Sequence, residues 1–132
     1  MFYELRLKVE KENAKGEIKE VKEHFIVDCE LFANAEYAGM NEYNGQADVF
    51  AITRSKIREI VNQKEDDKPF FKATIVDTFI NDDGTEKEIQ YPVLVCASDL
   101  KEANKIIDDY IKAGLNDMRL DGIVKTKILD VL

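Results

Sequence analysis

Tryptophan is absent from this chain, histidine occurs once, and cysteine and proline occur twice each in 132 residues. Cys29 and Cys96 make at most one disulfide, and neither belongs to a Cys-x-x-Cys pair or has histidine near it in sequence. Free, partly buried thiols are the expectation. With His24 as the lone imidazole, a zinc centre or a Cys–His nucleophile lacks its partners. Six glycines and two prolines beside 35% charged residues argue against a fibrous or disordered chain. No apolar run approaches the roughly 18 residues of a membrane span, and residues 1–10 lack the basic-then-apolar order of a signal peptide. A cytoplasmic protein with no membrane contact is expected. No Gly-rich phosphate loop and no catalytic constellation occur, so neither a cofactor, a metal nor an enzymatic activity is expected.

What is present is an internal repeat. At an offset of 68, Phe2-Tyr3 answers Phe70-Phe71, Gly16 answers Gly84, Val27 answers Val95 and Ala35 answers Ala103. The tails realign at 71, where the run from Ile52 to Val61 answers that from Ile123 to Leu132. Three extra residues between helix and last strand account for the slip. Tyr3, Leu5, Leu7 and Val9 alternate with Phe2, Glu4, Arg6 and Lys8, the pattern of a half-buried strand. Asn13-Ala14-Lys15-Gly16 and Asn81-Asp82-Asp83-Gly84 each predict a reversal, with returning strands over 17–28 and 85–96. Pro92 hints at an edge or a bulge in the second of these. Ser98-Asp99 and Gly114 bound a helix over about 99–112, and its counterpart runs from Leu31 to about Glu42 with Phe32, Ala35 and Ala38 in line. β-Branched segments over about 49–61 and 122–132 close each half.

The fold expected is α+β: a tandem repeat of β-β-α-β units, 1–61 and 70–132, joined by a polar linker over 62–69. Each half is marginal for a core of its own, so one pseudo-symmetric domain over 1–132, mainly antiparallel sheet with two helices, is the expectation.

Net charge is −8, which disfavours unspecific attraction to phosphate or to anionic membrane. Placement modifies that average. The opening and closing strands hold Arg6, Lys8, Arg54, Lys56, Arg58, Lys72, Lys125 and Lys127 against Glu4, Glu59 and Asp130, a balance of +5, leaving −13 for the rest. Arg6 with Lys8, Arg54 with Lys56 and Arg58, and Lys125 with Lys127 stand two apart and project from one side of a strand. Phe2 shares the side of Arg6 and Lys8, and Phe70 that of Lys72. If opening and closing strands share a sheet, its open face is a basic field containing rings, the means by which sheet platforms hold single-stranded DNA or RNA without reading sequence. The competing account is a solubilising lysine face that discourages edge pairing, with Phe2 and Phe70 tucked inward.

Other signals have plainer readings. Asn81-Asp82-Asp83-Gly84-Thr85-Glu86 lacks the ligand spacing of a calcium loop and reads as a hairpin turn. His24, on the face of Glu20, Lys22 and Ile26, reads as a surface imidazole. Asp28 and Glu30, at a strand–helix junction, read as helix-capping acids rather than an acid–base pair.

The opening Phe-Tyr-x-Leu-Arg-Leu-x-Val at 2–9, the run Phe-Ile-Val-Asp-Cys-x-Leu-Phe-Ala-Asn-Ala-Glu at 25–36 and Ile-Thr-Arg-Ser at 52–55 resemble an uncharacterised domain-of-unknown-function family of short proteins from gut Bacteroidota and their crAss-like phages. Members open with Trp-Phe-x-x-Lys-Val and repeat an aromatic-then-basic strand midway, as Phe70-Phe71-Lys72 does here; phenylalanine stands where the family tends to have tryptophan. The resemblance implies a phage or mobile-element protein in the cytoplasm of a bacterial host, and no activity that transfers residue by residue. The function expected is non-enzymatic binding of single-stranded nucleic acid. The alternative is an interaction protein that docks on a host enzyme or defence factor through acidic helices carrying Asp99, Glu102, Asp108 and Asp109, or that sequesters a small ligand. A monomer and a homodimer paired through the C-terminal strand both remain open.

Overall fold

The computed structural model describes residues 1–114 and 117–132. Among them the elements run β1 (Phe2–Glu12), β2 (Ile18–Asp28), α1 (Phe32–Glu42), β3 (Asp48–Arg54), β4 (Glu59–Ile60), β5 (Phe70–Ile80), β6 (Glu86–Cys96), α2 (Leu100–Ala113), β7 (Asp117–Lys125) and β8 (Ile128–Val131). This is a mixed α+β architecture with two helices and two largely antiparallel sheets, ordered β3-β1-β2-β8 and β4-β6-β5-β7. Neither helix is long and apolar enough to cross a membrane. Contacts divide the chain into two compact units, Met1–Ser55 with Lys127–Leu132, and Lys56–Thr126.

The closing strands expected over 49–61 and 122–132 are each broken in two. The Ser55 N–H donates to the Phe2 carbonyl at 2.8 Å, and because β1 begins at Phe2 no rung remains beyond it; the chain leaves, and Glu59–Ile60 pairs in parallel with β6. Thr126 ends β7 in the same way, donating its N–H and its hydroxyl to the Phe70 carbonyl at 2.9 and 2.8 Å, after which β8 pairs in parallel with β2. Residues 62–69, read as a linker, lie within the second unit. There the Asn62 side chain clasps the end of β6, donating to the Cys96 carbonyl and accepting from the Cys96 N–H, both at 2.7 Å. The three-residue slip placed between second helix and last strand falls partly on 115 and 116, outside the described residues; α2 itself has 14 residues where α1 has 11.

In the first unit Tyr3, Leu5, Leu7 and Val9 of β1 join Phe25 and Val27 of β2 in a core closed by Ala35 of α1. The helix has a weak apolar stripe, and it docks because its inward residues are small. A Cβ on buried Gly39 would lie 3.0 Å from Val49 Cγ2 and 3.3 Å from Leu5 Cδ1, so the glycine sets how closely helix and sheet approach. Phe32, expected inward, is 53% exposed and packs edge-to-face with Tyr3, at 6.1 Å between ring centres. The helix start has no side-chain cap: Leu31 occupies that position, and Asp28 bonds the Met1 amine at 3.0 Å instead. Buried Glu23 accepts from the Tyr43 hydroxyl and from the Lys11 ammonium, so a charge inside the unit has both partners it needs.

In the second unit Phe71, Ala73 and Ile75 of β5 and Val93 and Val95 of β6 pack on Ala103 and Ile107 of α2, a strongly amphipathic helix. Asp99 caps it, accepting from the Glu102 N–H at 2.8 Å. Pro92 stands where β6 ceases to be an edge, since β4 pairs only with Val93 and Leu94. Gly16 and Gly84 take φ of 77° and 85° in the two hairpin turns, a region in which side chains are strained. In the second turn Asp83 accepts from the Thr85 N–H at 3.0 Å, as a turn residue does.

Two stability measurements test this packing. Gly39→Val forces branched carbons into Val49 and Leu5 and is expected to lower unfolding stability by about 1–3 kcal/mol. Asp99→Ala removes the cap of α2 and is expected to cost about 1 kcal/mol. Urea denaturation followed by circular dichroism reads both, and a Gly39→Val midpoint at or above wild type would refute the close helix–sheet approach.

Candidate functional site

The ten side chains singled out in the sequence are divided between the units. Phe2, Arg6, Lys8, Arg54 and Lys127 belong to the first, and Lys56, Arg58, Phe70, Lys72 and Lys125 to the second. Register separates them further. Arg54 pairs with Tyr3 and Lys125 with Phe71, and cross-strand partners share a face, so both cations leave their sheets on the core side rather than beside Arg6 or Lys72. Phe70 has 0% of its surface exposed and offers no ring face to a base. The Arg58 guanidinium lies 4.4 Å from the centre of the Tyr91 ring, a residue packed on the second core. Lys56 and Lys72 are exposed. The expected continuous basic field of ten residues does not form, because a strand that breaks and bulges does not keep one parity along its length.

A smaller basic face does form, on the side of the first sheet opposite α1. Leu5, Leu7 and Val9 take the core, so Arg6 and Lys8 project the other way. The β1–β2 hairpin pairs Arg6 with His24 and Lys8 with Lys22, which puts four basic side chains side by side. On the other flank the β1–β3 register shifts between Arg6 and Leu7: Arg6 faces Ala51, Leu7 faces Val49, and Phe50 is the extra residue of a bulge. The bulge lets Val49 and Ile52, three apart, both reach the core while Phe50 turns outward. Its ring, 38% exposed, has the Lys8 ammonium 5.0 Å and the Lys22 ammonium 5.7 Å from its centre. Lys127, just before β8, completes a cavity of about 240 Å³ lined also by Arg6, Lys22, Glu23, His24 and Phe50.

Among the described residues none of Arg6, Lys8, Lys22 and Lys127 makes an ion pair. Glu23 lines the cavity, yet its carboxylate is engaged by Tyr43 and Lys11. Toward the hairpin tip the face turns acidic, with Glu10, Glu20 and Asp48 around Lys8.

His24 is not the surface imidazole expected. Its side chain is 14% exposed, and its Nε2 is buried without a hydrogen bond, the Glu4 Oε1 lying 3.3 Å away. β8 on one flank and β1 on the other cover it. Burial pushes the imidazole below its ordinary value and the Arg6 charge adds to that, while Glu4 opposes both. Folding therefore favours the neutral imidazole over the protonated one.

Sequence reasoning missed Lys22, His24 and Phe50 as members of one site. The hairpin turn carried the signal for the first two: a reversal that pairs Glu12 with Ile18 also pairs Lys8 with Lys22 and Arg6 with His24. The spacing of three between Val49 and Ile52 in a strand of period two was the signal for the bulge.

The depressed His24 value gives a signed prediction. The unfolded chain binds a proton near pH 6.5 and the folded chain only below it, so stability rises with pH between the two values. His24 then contributes fully above about pH 6.5 and its contribution is lost as pH falls through that window. Chemical denaturation between about pH 5.5 and 7.5 should show less stability on the acid side, and His24→Gln should flatten the slope; an unchanged slope in the variant would count against a buried neutral imidazole.

No curated protein and no solved structure matches the chain. The family model described as Domain of unknown function (DUF4494) matches residues 1–132, and the chain, with its paired aromatic-and-basic strands, belongs to that family.

Proposed function

We propose that the first unit binds single-stranded nucleic acid, without catalysing a reaction, through the face formed by Arg6, Lys8, Lys22, Lys127 and Phe50. The observation that carries this reading is four cations without carboxylate partners gathered around one exposed ring. Phosphates suit the flexible ammonium and guanidinium groups, and a base suits the ring face that the lysines now cover; on binding, the ammoniums swing from ring to phosphate. An extended single strand matches a shallow sheet surface, and nothing in the arrangement supplies base-edge readout, so little sequence preference is expected.

We extend the reading to setting and origin. The resemblance to phage and mobile-element proteins, together with free thiols at Cys29 and Cys96, supports a role in the reducing cytoplasm of a bacterial host. The two units descend, in this reading, from one duplicated β-β-α-β element. Support comes from the hairpins, which pair Phe2 with Asp28 and Phe70 with Cys96 at the same offset, and from bulges after Arg6 and after Thr74.

Fluorescence anisotropy with a labelled deoxythymidine oligonucleotide of about 15 residues tests the binding reading. Binding is expected at low salt, with an affinity that falls as salt rises by about 0.7 log units per log unit for each phosphate neutralised. Phe50→Ala should weaken it about 5- to 150-fold, the range of one lost base stack. Lys8→Glu with Lys22→Glu should abolish it, whereas Lys72→Glu with Lys125→Glu in the second unit should leave it unchanged. Flat anisotropy at low salt ends the proposal.

A further inference from the structure

Within that face one place differs from the rest. The cavity of about 240 Å³ is concave, and its wall carries Arg6, Lys22 and Lys127 from three separate chain segments. It lies below the roughly 300–1,000 Å³ of pockets that enclose whole drug-sized ligands, yet far exceeds the roughly 30 Å³ share of one water. It is the size of a phosphate group with part of its sugar, and the Phe50 ring stands at its rim for the attached base. We propose that this cavity is an anion site that takes one phosphate group of a nucleotide, and that His24 couples its occupancy to protonation. The inference rests on the reading of the face as a nucleic-acid surface and names the phosphate subsite within it.

The groups facing His24 set the direction of the coupling. Arg6 stands opposite it on β1 and Glu4 lies 3.3 Å from its Nε2 on the same strand; Lys22 is two residues away on β2; the buried Glu23, which also lines the cavity, has its carboxylate held by Tyr43 and Lys11; Lys127 enters from the approach to β8; and the uncharged neighbours are Ile128 and Phe50. In the empty cavity burial and the Arg6 charge oppose protonation of the ring, and Glu4 favours it. A dianion placed among Arg6, Lys22 and Lys127 offsets two of their three charges, so the protonated ring becomes more acceptable, and its Nε2–H gains Glu4 as acceptor. Anion binding then raises the affinity of His24 for its proton, and by reciprocity lower pH tightens the anion.

Because the chain has one histidine, its imidazole resonance in a proton–carbon NMR spectrum belongs to His24 without assignment. The probe is sulfate, which stays a dianion across about pH 5.5–8 and so adds no titration of its own, compared with chloride at matched ionic strength. Sulfate is expected to raise the His24 midpoint by about half a unit, which corresponds to up to about threefold tighter sulfate at the acid end. Lys127→Ala should weaken sulfate several-fold. Thymidine monophosphate should bind more tightly than thymidine, and Phe50→Ala should weaken both while leaving sulfate unaffected. A midpoint that sulfate does not move overturns the anion site; if the oligonucleotide still binds, the reading of the face survives that failure. A sulfate-shifted midpoint with no oligonucleotide binding has the opposite meaning: the anion site stands and strand binding falls.

Discussion

The β1–β2 hairpin is the constraint on which the first unit depends. It runs without a break from Phe2 opposite Asp28 to Glu12 opposite Ile18, and strict alternation assigns each residue to one of two faces. A slip of one residue in β1 would send Leu5 and Leu7 to the side away from α1 and Arg6 and Lys8 into the core, and a slip in β2 would do the same to Phe25 and Lys22. The cost of burying those cations unpaired, several kcal/mol each, rules that arrangement out, so the register is enforced from both faces at once. The hydrophobic core and the basic face are two consequences of a single parity. β3 cannot obey that parity, since Val49 and Ile52 both belong inside, and the bulge that resolves the conflict delivers Phe50 to the cations.

Much of this was legible in the residues. Turn glycines, period-two alternation and the spacing of Leu100, Ala103 and Ile107 lead to both hairpins and to α2 almost residue for residue. Family membership was legible too, from motifs at 2–9, 25–36 and 52–55. The failures have a common physical origin. A segment such as 49–61 carries strand propensity throughout, but propensity is a property of each residue, whereas pairing ends where the partner strand ends, here at Phe2. Parity counted across such a break is meaningless, which is why Arg54 and Lys125 fall on the wrong side; Phe70 keeps the side of Lys72 on unbroken β5, but that position is fully buried. His24 was misjudged for a related reason: β8, arriving from the far end of the chain, covers a position that local pattern leaves open.

The overall charge of −8 is not in conflict with a cationic site. At physiological ionic strength fields from exposed charges decay over about 8 Å, so a phosphate at the cavity mouth responds chiefly to Arg6, Lys22 and Lys127. The acidic remainder acts at longer range, where it slows encounter with any polyanion and discourages binding elsewhere on the surface. Glu10, Glu20 and Asp48 bound the face toward the hairpin tip, and in the proposed reading they would limit how far a strand lies along it.

The second hairpin carries the same scaffold without the basic face. Thr74 pairs with Pro92 and Val76 with Gln90 at the register positions that Arg6 with His24 and Lys8 with Lys22 occupy in the first. The backbone geometry is shared down to a bulge after Arg6 and after Thr74, but in the second hairpin those four positions are uncharged and Val76 is fully buried. The concentration of cations on one hairpin, around the bulge residue Phe50, is the feature on which the proposed binding of an anionic, ring-bearing ligand rests.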